Sequence, residues 1–265
     1  MDGAMPEGNG RITRRVAGEA LRPVPTIDRL TLAPRHFYRT SALPCPYVIG
    51  RTERKLITEL SGPDALAFYN SLSRAGFRRS HHLAYRPACA GCNGCVPVRI
   101  PIAAFTASRS LRRIGKANGD LVRRLAAPRA LLEQYRLFMR YQRSRHADSD
   151  MASMTFGDFR AMIEDSPVNS RVLELRDGNG ALAGACLLDV LDDGLSAVYS
   201  FFDPDQRRRS LGTLLILALI EEGRRLGLPY VYLGYWIAES PKMAYKARFR
   251  PLEGLGSSGW RPLTL

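Results

Sequence analysis

The 265-residue chain lacks any apolar run near the ~20 residues that a membrane-spanning helix needs. Its longest apolar run, residues 214–220, is closed by Glu221 and Glu222. Arg14 and Arg15 have no apolar segment behind them, and Asp2, Glu7 and Glu19 do not suit a transit peptide. A cytoplasmic protein with no membrane partner is therefore expected. Lysine is scarce, since 35 of the 39 basic residues are arginine. Cysteine is confined to Cys45, Cys89, Cys92, Cys95 and Cys186. An odd set with three members crowded together does not make a disulfide framework. In a reducing compartment such thiols bind metal or stay free.

What the chain has in excess is positive charge, a net +14. Residues 1–150 hold 26 Lys and Arg against 11 Asp and Glu, while residues 151–265 hold 13 against 14. Codon bias explains arginine over lysine but not this asymmetry. A basic half joined to a neutral half implies a polyanion bound at one end, and nucleic acid is the expected partner.

Residues 1–30, rich in Gly, Pro and Arg without apolar periodicity, read as a flexible extension. Residues 31–105 read as a small Cys-containing domain. Within it Pro63 opens a helix over 65–73, and alternation marks a strand over 96–100. Residues 106–265 read as a basic helical segment leading into a second domain. Helices are expected through 107–145. Arg109, Arg112, Arg113 and Lys116 fall at i, i+3, i+4 and i+7, so they share one face. Leu131, Leu132, Tyr135, Phe138 and Met139 form the apolar stripe of a second helix. Strands follow at 172–176, 182–190 and 196–202, separated by Asp-Gly turns, then a helix over 211–225 and a strand over 230–236. Ser240 and Pro241 are placed to start a last helix. There Lys242, Tyr245, Lys246 and Phe249 would share a face.

This order of antiparallel strands, loop, helix, strand and helix resembles a GNAT-type acyltransferase core. The fold class expected is mixed α/β (α+β), a small Cys-containing N-terminal domain plus a GNAT-like domain. In such a core the loop before the helix binds the acyl donor, because free N–H groups and the helix dipole attract anions. Arg208, Arg209 and Gly212 are the candidates here for holding the phosphate of a donor. Leu214 stands where an acetyl-CoA loop has a small residue, which counts against coenzyme A. An acetyl-CoA-dependent acetyltransferase remains an alternative on this reading, as does a non-catalytic nucleic-acid-binding module built on the cysteines.

Specific blocks narrow the choice. They are Phe77-Arg78-Arg79-Ser80-His81, Tyr85-Arg86-Pro87-Ala88-Cys89-x-x-Cys92-x-x-Cys95, Tyr199-Ser200-Phe201-Phe202-Asp203-Pro204, and Tyr230-Val231-Tyr232-Leu233-Gly234-Tyr235-Trp236 with Lys242-Met243-x-Tyr245-Lys246. Together they resemble the bacterial aspartate/glutamate leucyltransferases, relatives of the eukaryotic arginyl-tRNA–protein transferases, from about Cys45 to Trp260. The resemblance implies transfer of leucine from leucyl-tRNA to proteins beginning with Asp or Glu, marking them for degradation. Arginyl transfer is the alternative within the family. The donor ester is already activated, so no cofactor is required. Tyr199, Tyr232, Tyr235, Lys242, Tyr245 and Lys246 are expected near the reaction centre, and no carboxylate identifies itself as the base. Arg78, Arg79, His81 and Arg86 are expected to read the acidic acceptor, and Arg109, Arg112, Arg113 and Lys116 to hold tRNA. Cys89, Cys92 and Cys95, with Cys45 as a fourth ligand, could hold zinc or an iron–sulfur cluster, as eukaryotic relatives have been associated with such binding.

Overall fold

Short strands dominate the first part of the chain, where Pro, Gly and Asp interrupt every apolar run. The computed structural model describes residues 34–264, so the extension expected at 1–30 lies outside them. The elements begin with β1 (Tyr38–Arg39), β2 (Leu43–Pro44), β3 (Thr52–Glu53) and β4 (Lys55–Glu59). Helix α1 (Ala65–Arg74), β5 (Arg78–Ser80), β6 (Leu83–Pro87) and β7 (Val96–Pro101) follow. Next come α2 (Arg109–Ala117), β8 (Val122–Ala126), α3 (Leu132–Arg145) and α4 (Phe156–Glu164). The neutral half supplies β9 (Ser170–Arg176), β10 (Leu182–Val190), β11 (Gly194–Phe202), α5 (Leu211–Arg225) and β12 (Tyr230–Trp236). It closes with the one-turn α6 (Pro241–Ala244), β13 (Glu253–Gly256) and β14 (Gly259–Pro262).

The strands make an eight-stranded sheet in the order β14-β13-β7-β12-β11-β10-β9-β8 and a four-stranded sheet in the order β1-β4-β6-β5. Neighbours in the large sheet are antiparallel except β11 and β12, which run parallel because α5 crosses between them. The strand–loop–helix–strand order expected of an acyltransferase core is present. α5 packs on one face, where Leu214, Leu215 and Ile220 join Val98, Ile100 and Val231. α3 and α4 cover the other, with Phe138, Phe159 and Phe201 at its centre. A third core lies under the small sheet and α1, around Tyr69, Leu72, Phe77 and Tyr232.

Several sequence expectations differ from the structure. Residues 107–145 are not continuously helical, since β8 forms an edge strand between α2 and α3. Its Val-Arg-Arg-Leu-Ala sequence is mostly exposed, and charge on an edge strand discourages further pairing. Leu131 and Leu132 are exposed at the start of α3, so the buried stripe of that helix begins further along. The last helix is a single turn that tightens into a 3₁₀ turn over Tyr245–Arg248, and Ser240 makes no side-chain cap. Lys242 is exposed while Lys246 and Phe249 are buried, so the expected common face does not form. The boundary expected between 105 and 106 falls inside one unit spanning Arg35–Leu265. β7, from the cysteine-containing side of that boundary, pairs with β12 and β13 in the large sheet. Among the described residues no helix is long and apolar enough to cross a membrane.

The two sheets are joined by Arg79. Its Nε and Nη2 donate to Asp189 Oδ2 and Oδ1 at 2.8 and 2.7 Å, and both side chains are 0% exposed. Ser170 Oγ donates to the same carboxylate at 2.7 Å. Removing one partner leaves a buried charge alone, which costs about 3–5 kcal/mol. Arg79→Met and Asp189→Asn should each lower unfolding stability by roughly that amount in urea titrations. The double variant Arg79→Met/Asp189→Leu should recover most of it. Equal losses in the single and double variants would show that packing rather than charge is at stake.

Candidate active site

Two buried cations, Arg78 and Lys246, lie where β11 and β12 part. The two strands pair over only three positions, Gly194, Leu195 and Ser196 with Tyr230, Val231 and Tyr232. Beyond these β11 stays with β10 and β12 stays with β7, whose pairing has an irregularity between Tyr232 and Gly234. The gap would leave carbonyls without partners. Arg78 of β5 fills it, its Nη1 donating to Ser196 Oγ at 2.9 Å and its Nη2 to Ala197 O, the first carbonyl past the pairing. Gly234 makes room, with φ +77° and an added β-carbon only 3.0 Å from Arg78 Nε. Any L side chain there would be strained and would press on the guanidinium.

Lys246 lies in the same region. Its Nζ donates to Tyr235 O and to Met243 Sδ at 3.3 Å, with no carboxylate bound. Burial, with the Arg78 charge adding to it, pushes the ammonium down to about 7. Near neutrality this amine is partly unprotonated, the state a proton acceptor needs.

The tyrosines divide into two kinds. Tyr235 donates to Gly76 O at 3.0 Å or Tyr85 O at 3.2 Å, and Tyr232 donates to Asp193 Oδ2 at 2.8 Å. Burial raises both phenols further above their usual range. Tyr232 also receives Arg99 Nη1 at 3.4 Å, and Arg99 itself is stacked between Tyr230 and Trp260 and paired with Glu253. In this structure both hydroxyls are engaged in holding β12 in place. Tyr199 and Tyr245 belong to a second group centred on Tyr141 at the end of α3, with His146 and Lys242 beside it. Gln142 Nε2 donates to Tyr199 OH at 2.6 Å. Burial pushes Tyr199 up to about 12, whereas Tyr245 is 38% exposed. Tyr141, Gln142 and His146 were not singled out from sequence. The available signal was a glutamine four residues after Phe138, on the buried stripe of α3.

The remaining candidates are dispersed. Arg79 is enclosed with Asp189, and its Nη1 donates to the carbonyl of His81, which has a positive φ of 52°. Arg86 donates to Ala75 O at 3.1 Å and lies over Phe77. Arg109, Arg112, Arg113 and Lys116 are all exposed on α2, which Ser108 caps by accepting from Leu111 N–H. Arg208 is exposed in the turn before α5. Arg209 is bound instead to Asn118 Oδ1 at 2.7 Å and to Asp120, tying α2 to the start of α5. Gly212 lets α5 approach Phe202, whose ring would lie 2.8 Å from an added β-carbon. Leu214 is core.

Cys89, Cys92 and Cys95 line a cleft of about 900 Å³ that also takes in Arg86, Arg261 and the β13–β14 turn. Their sulfurs are the right donors for zinc or an iron–sulfur cluster. In this arrangement they are engaged otherwise. Arg51 Nη1 donates to Cys92 Sγ at 3.2 Å, and Cys89 Sγ exchanges contacts with the Arg54 backbone. Cys95 lies within electrostatic reach of Cys45, Cys89 and Cys92, which together with burial push its thiol up to about 11, although among the described residues no three His, Cys, Asp or Glu side chains are arranged as a ready metal-holding group.

Family models for the arginine-tRNA-protein transferase N terminus and C terminus match residues 43–113 and 133–256. The chain belongs to this aminoacyl-tRNA–protein transferase family. It is 58% identical over 228 residues to the aspartate/glutamate leucyltransferase of Paramagnetospirillum magneticum, covering 86% of this chain and 93% of that one. The protein of the same name from Granulibacter bethesdensis is 54% identical, with 87% and 86% covered. Among solved structures, L-PGS from Bacillus licheniformis aligns at TM-score 0.45 and 11% identity over 68% of this chain and 52% of that one. FemX aligns at 0.41 and 8% over 76% and 79%. On the family match and these relatives, the protein is an aminoacyltransferase that moves an aminoacyl group from a charged tRNA to a protein.

The Lys246 geometry sets a pH dependence. Its folded value of about 7 lies below the ordinary 10.5, so the unfolded chain binds more protons between those values. Stability from this group therefore rises with pH through that window, and its full penalty is present below about pH 7. Lys246→Met removes the penalty. The melting temperature of the variant relative to the parent should be highest near pH 6 and decline toward pH 9. A difference that stays flat with pH would show that Lys246 is not buried as an amine.

Proposed function

We propose that the protein transfers leucine from leucyl-tRNA to the N-terminus of proteins that begin with Asp or Glu, marking them for degradation. The observation that carries this reading is the 50–58% identity to curated relatives named aspartate/glutamate leucyltransferase over at least 85% of this chain. The buried cations Arg78 and Lys246, neither with an acidic partner of its own among the described residues, support it from the site side.

The reaction needs little chemistry from the protein, because the donor is already an activated ester. The acceptor α-amine attacks the ester carbonyl carbon, the new C–N bond forms, and the C–O bond to the ribose breaks. The tRNA hydroxyl leaves with a proton. What the enzyme supplies is orientation, a place for the proton lost by the α-ammonium, and donors for the developing oxyanion. The partly unprotonated Lys246 amine suits the second task. The α2 face suits the phosphate backbone, and Arg208 before α5 suits the 3′ end.

A transfer assay with leucyl-, arginyl- and phenylalanyl-tRNA and peptides beginning with Asp, Glu, Asn, Gln and Lys tests this reading. Leucine should appear on the Asp and Glu peptides alone. Arginine as the preferred donor would replace the leucyl reading with an arginyl one.

tRNA binding should weaken steeply with salt, because each neutralised phosphate releases counterions. Its log–log slope is about −0.7 to −0.9 per contact. Replacing Arg109, Arg112 and Arg113 by Gln should flatten that slope by about two to three units and raise the KM for charged tRNA. An unchanged slope would place the docking face elsewhere.

A further inference from the structure

The cleft beside the Cys loop, about 900 Å³, is at the upper end of the range of about 300–1,000 Å³ in which proteins enclose small ligands. One wall is the β13–β14 hairpin, where Gly254, Gly256 and Gly259 with Ser257 and Ser258 present little or no side chain. The other is the loop that carries Cys89, Cys92 and Cys95. Gly76 has φ +85°, and a β-carbon added there would lie 2.8 Å from both Pro97 and Leu255. The bare glycine thus lets the end of α1 close onto residues of both walls. None of the side chains lining the cleft is acidic, and two, Arg86 and Arg261, are cationic. None is aromatic either, whereas an unpaired tRNA end would ask for aromatic faces on which its bases stack. A roomy, aromatic-free cleft suits an extended peptide, and its charge suits an acidic one.

The two arginines are not equivalent. Arg86 is already bound to Ala75 O and lies over Phe77. Arg261 is exposed on β14, and its side chain makes no hydrogen bond or ion pair among the described residues. The cleft also approaches the buried amine, because Cys95 on its wall lies within electrostatic reach of Lys246 and Tyr235. A chain lying in the cleft would have one end near Lys246 and the rest passing Arg261. We propose that the cleft seats the acceptor chain just after its first residue, and that Arg261 pairs there with an acidic side chain at the second or the third position. This rests on the reading that leucine is joined to a protein N-terminus. It concerns the residues behind the first, and is separate from whatever group reads the first. Two or three residues of extended chain cover about 7–10 Å, and successive side chains point opposite ways. One of the two positions should therefore face Arg261 and the other should not. An exposed ion pair is weak, so the preference it creates should be about two- to five-fold.

The test uses the full chain, saturating leucyl-tRNA, and peptides that begin with Asp and carry Glu, Ala or Lys at the second or at the third position. At one of these positions kcat/KM should be highest with Glu and lowest with Lys. Arg261→Glu should reverse that order, so that Lys becomes the best residue there, and should leave the KM for leucyl-tRNA unchanged. A merely structural role for Arg261 would not reverse a charge preference. The side chain is exposed, so the melting temperature of the variant should not fall. A peptide carrying a benzophenone at the responsive position should cross-link on irradiation to residues 254–264 or 89–97. An order that Arg261→Glu leaves intact, or cross-links that map outside these segments, would overturn the proposal. So would a raised tRNA KM with the peptide order intact, which would make the cleft a tRNA surface. A parent that acts only on peptides with some other first residue would overturn the Asp/Glu reading instead, and the same series behind that residue then decides the cleft.

Discussion

The two adjacent arginines of β5 carry the constraint on which the rest of the structure depends. Successive side chains of a strand point to opposite faces, yet both Arg78 and Arg79 are buried, because β5 is enclosed on either side. Arg79 meets Asp189 of β10 and closes the small sheet onto the large one. Arg78 reaches into the opening between β11 and β12 and bonds the carbonyl that their divergence exposes. One arginine is therefore neutralised by the fold, and the other is held rigidly with its charge left over. Without the first, the second would have no fixed position.

Fixing that position draws in groups far apart in sequence. Tyr235 ties β12 to Gly76 and Tyr85, on either side of Arg78. Tyr232 and Arg99 brace the start of the same strand against Asp193 and Glu253. Gly234 removes the side chain that would strike the guanidinium. These residues act on the site through the backbone of β12. Tyr232 and Tyr235 lie on the strand beside Arg78, and their hydroxyls are occupied by structural partners.

The sequence made the neutral half legible because its elements are bounded by strong local signals. Asp177-Gly178 and Asp193-Gly194 mark turns between alternating runs, and Gly227 with Pro229 ends the long apolar helix α5. Local signals mislead where tertiary partners decide. Val122–Ala126 is arginine-rich and reads as a helical continuation, but it completes the sheet as an edge beside β9. The segment after Ser240 has helical spacing, but it tightens so that Lys246 reaches Tyr235 O. Nothing in Phe77-Arg78-Arg79-Ser80 distinguishes the paired arginine from the unpaired one. Their difference resides in Asp189 and Ala197, more than a hundred residues away.

The presence of arginine at 78 and lysine at 246 follows from how each cation responds to burial. A guanidinium keeps its proton in almost any protein environment, while an ammonium gives it up when desolvated. Lys246 does so under burial and the nearby Arg78 charge. A lysine at 78 would face the same burial and the same like-charged neighbour. Its charge would become conditional as well. An arginine at 246 would retain its proton and could not accept another. The same low-dielectric space thus holds one cation whose charge persists and one whose charge is conditional.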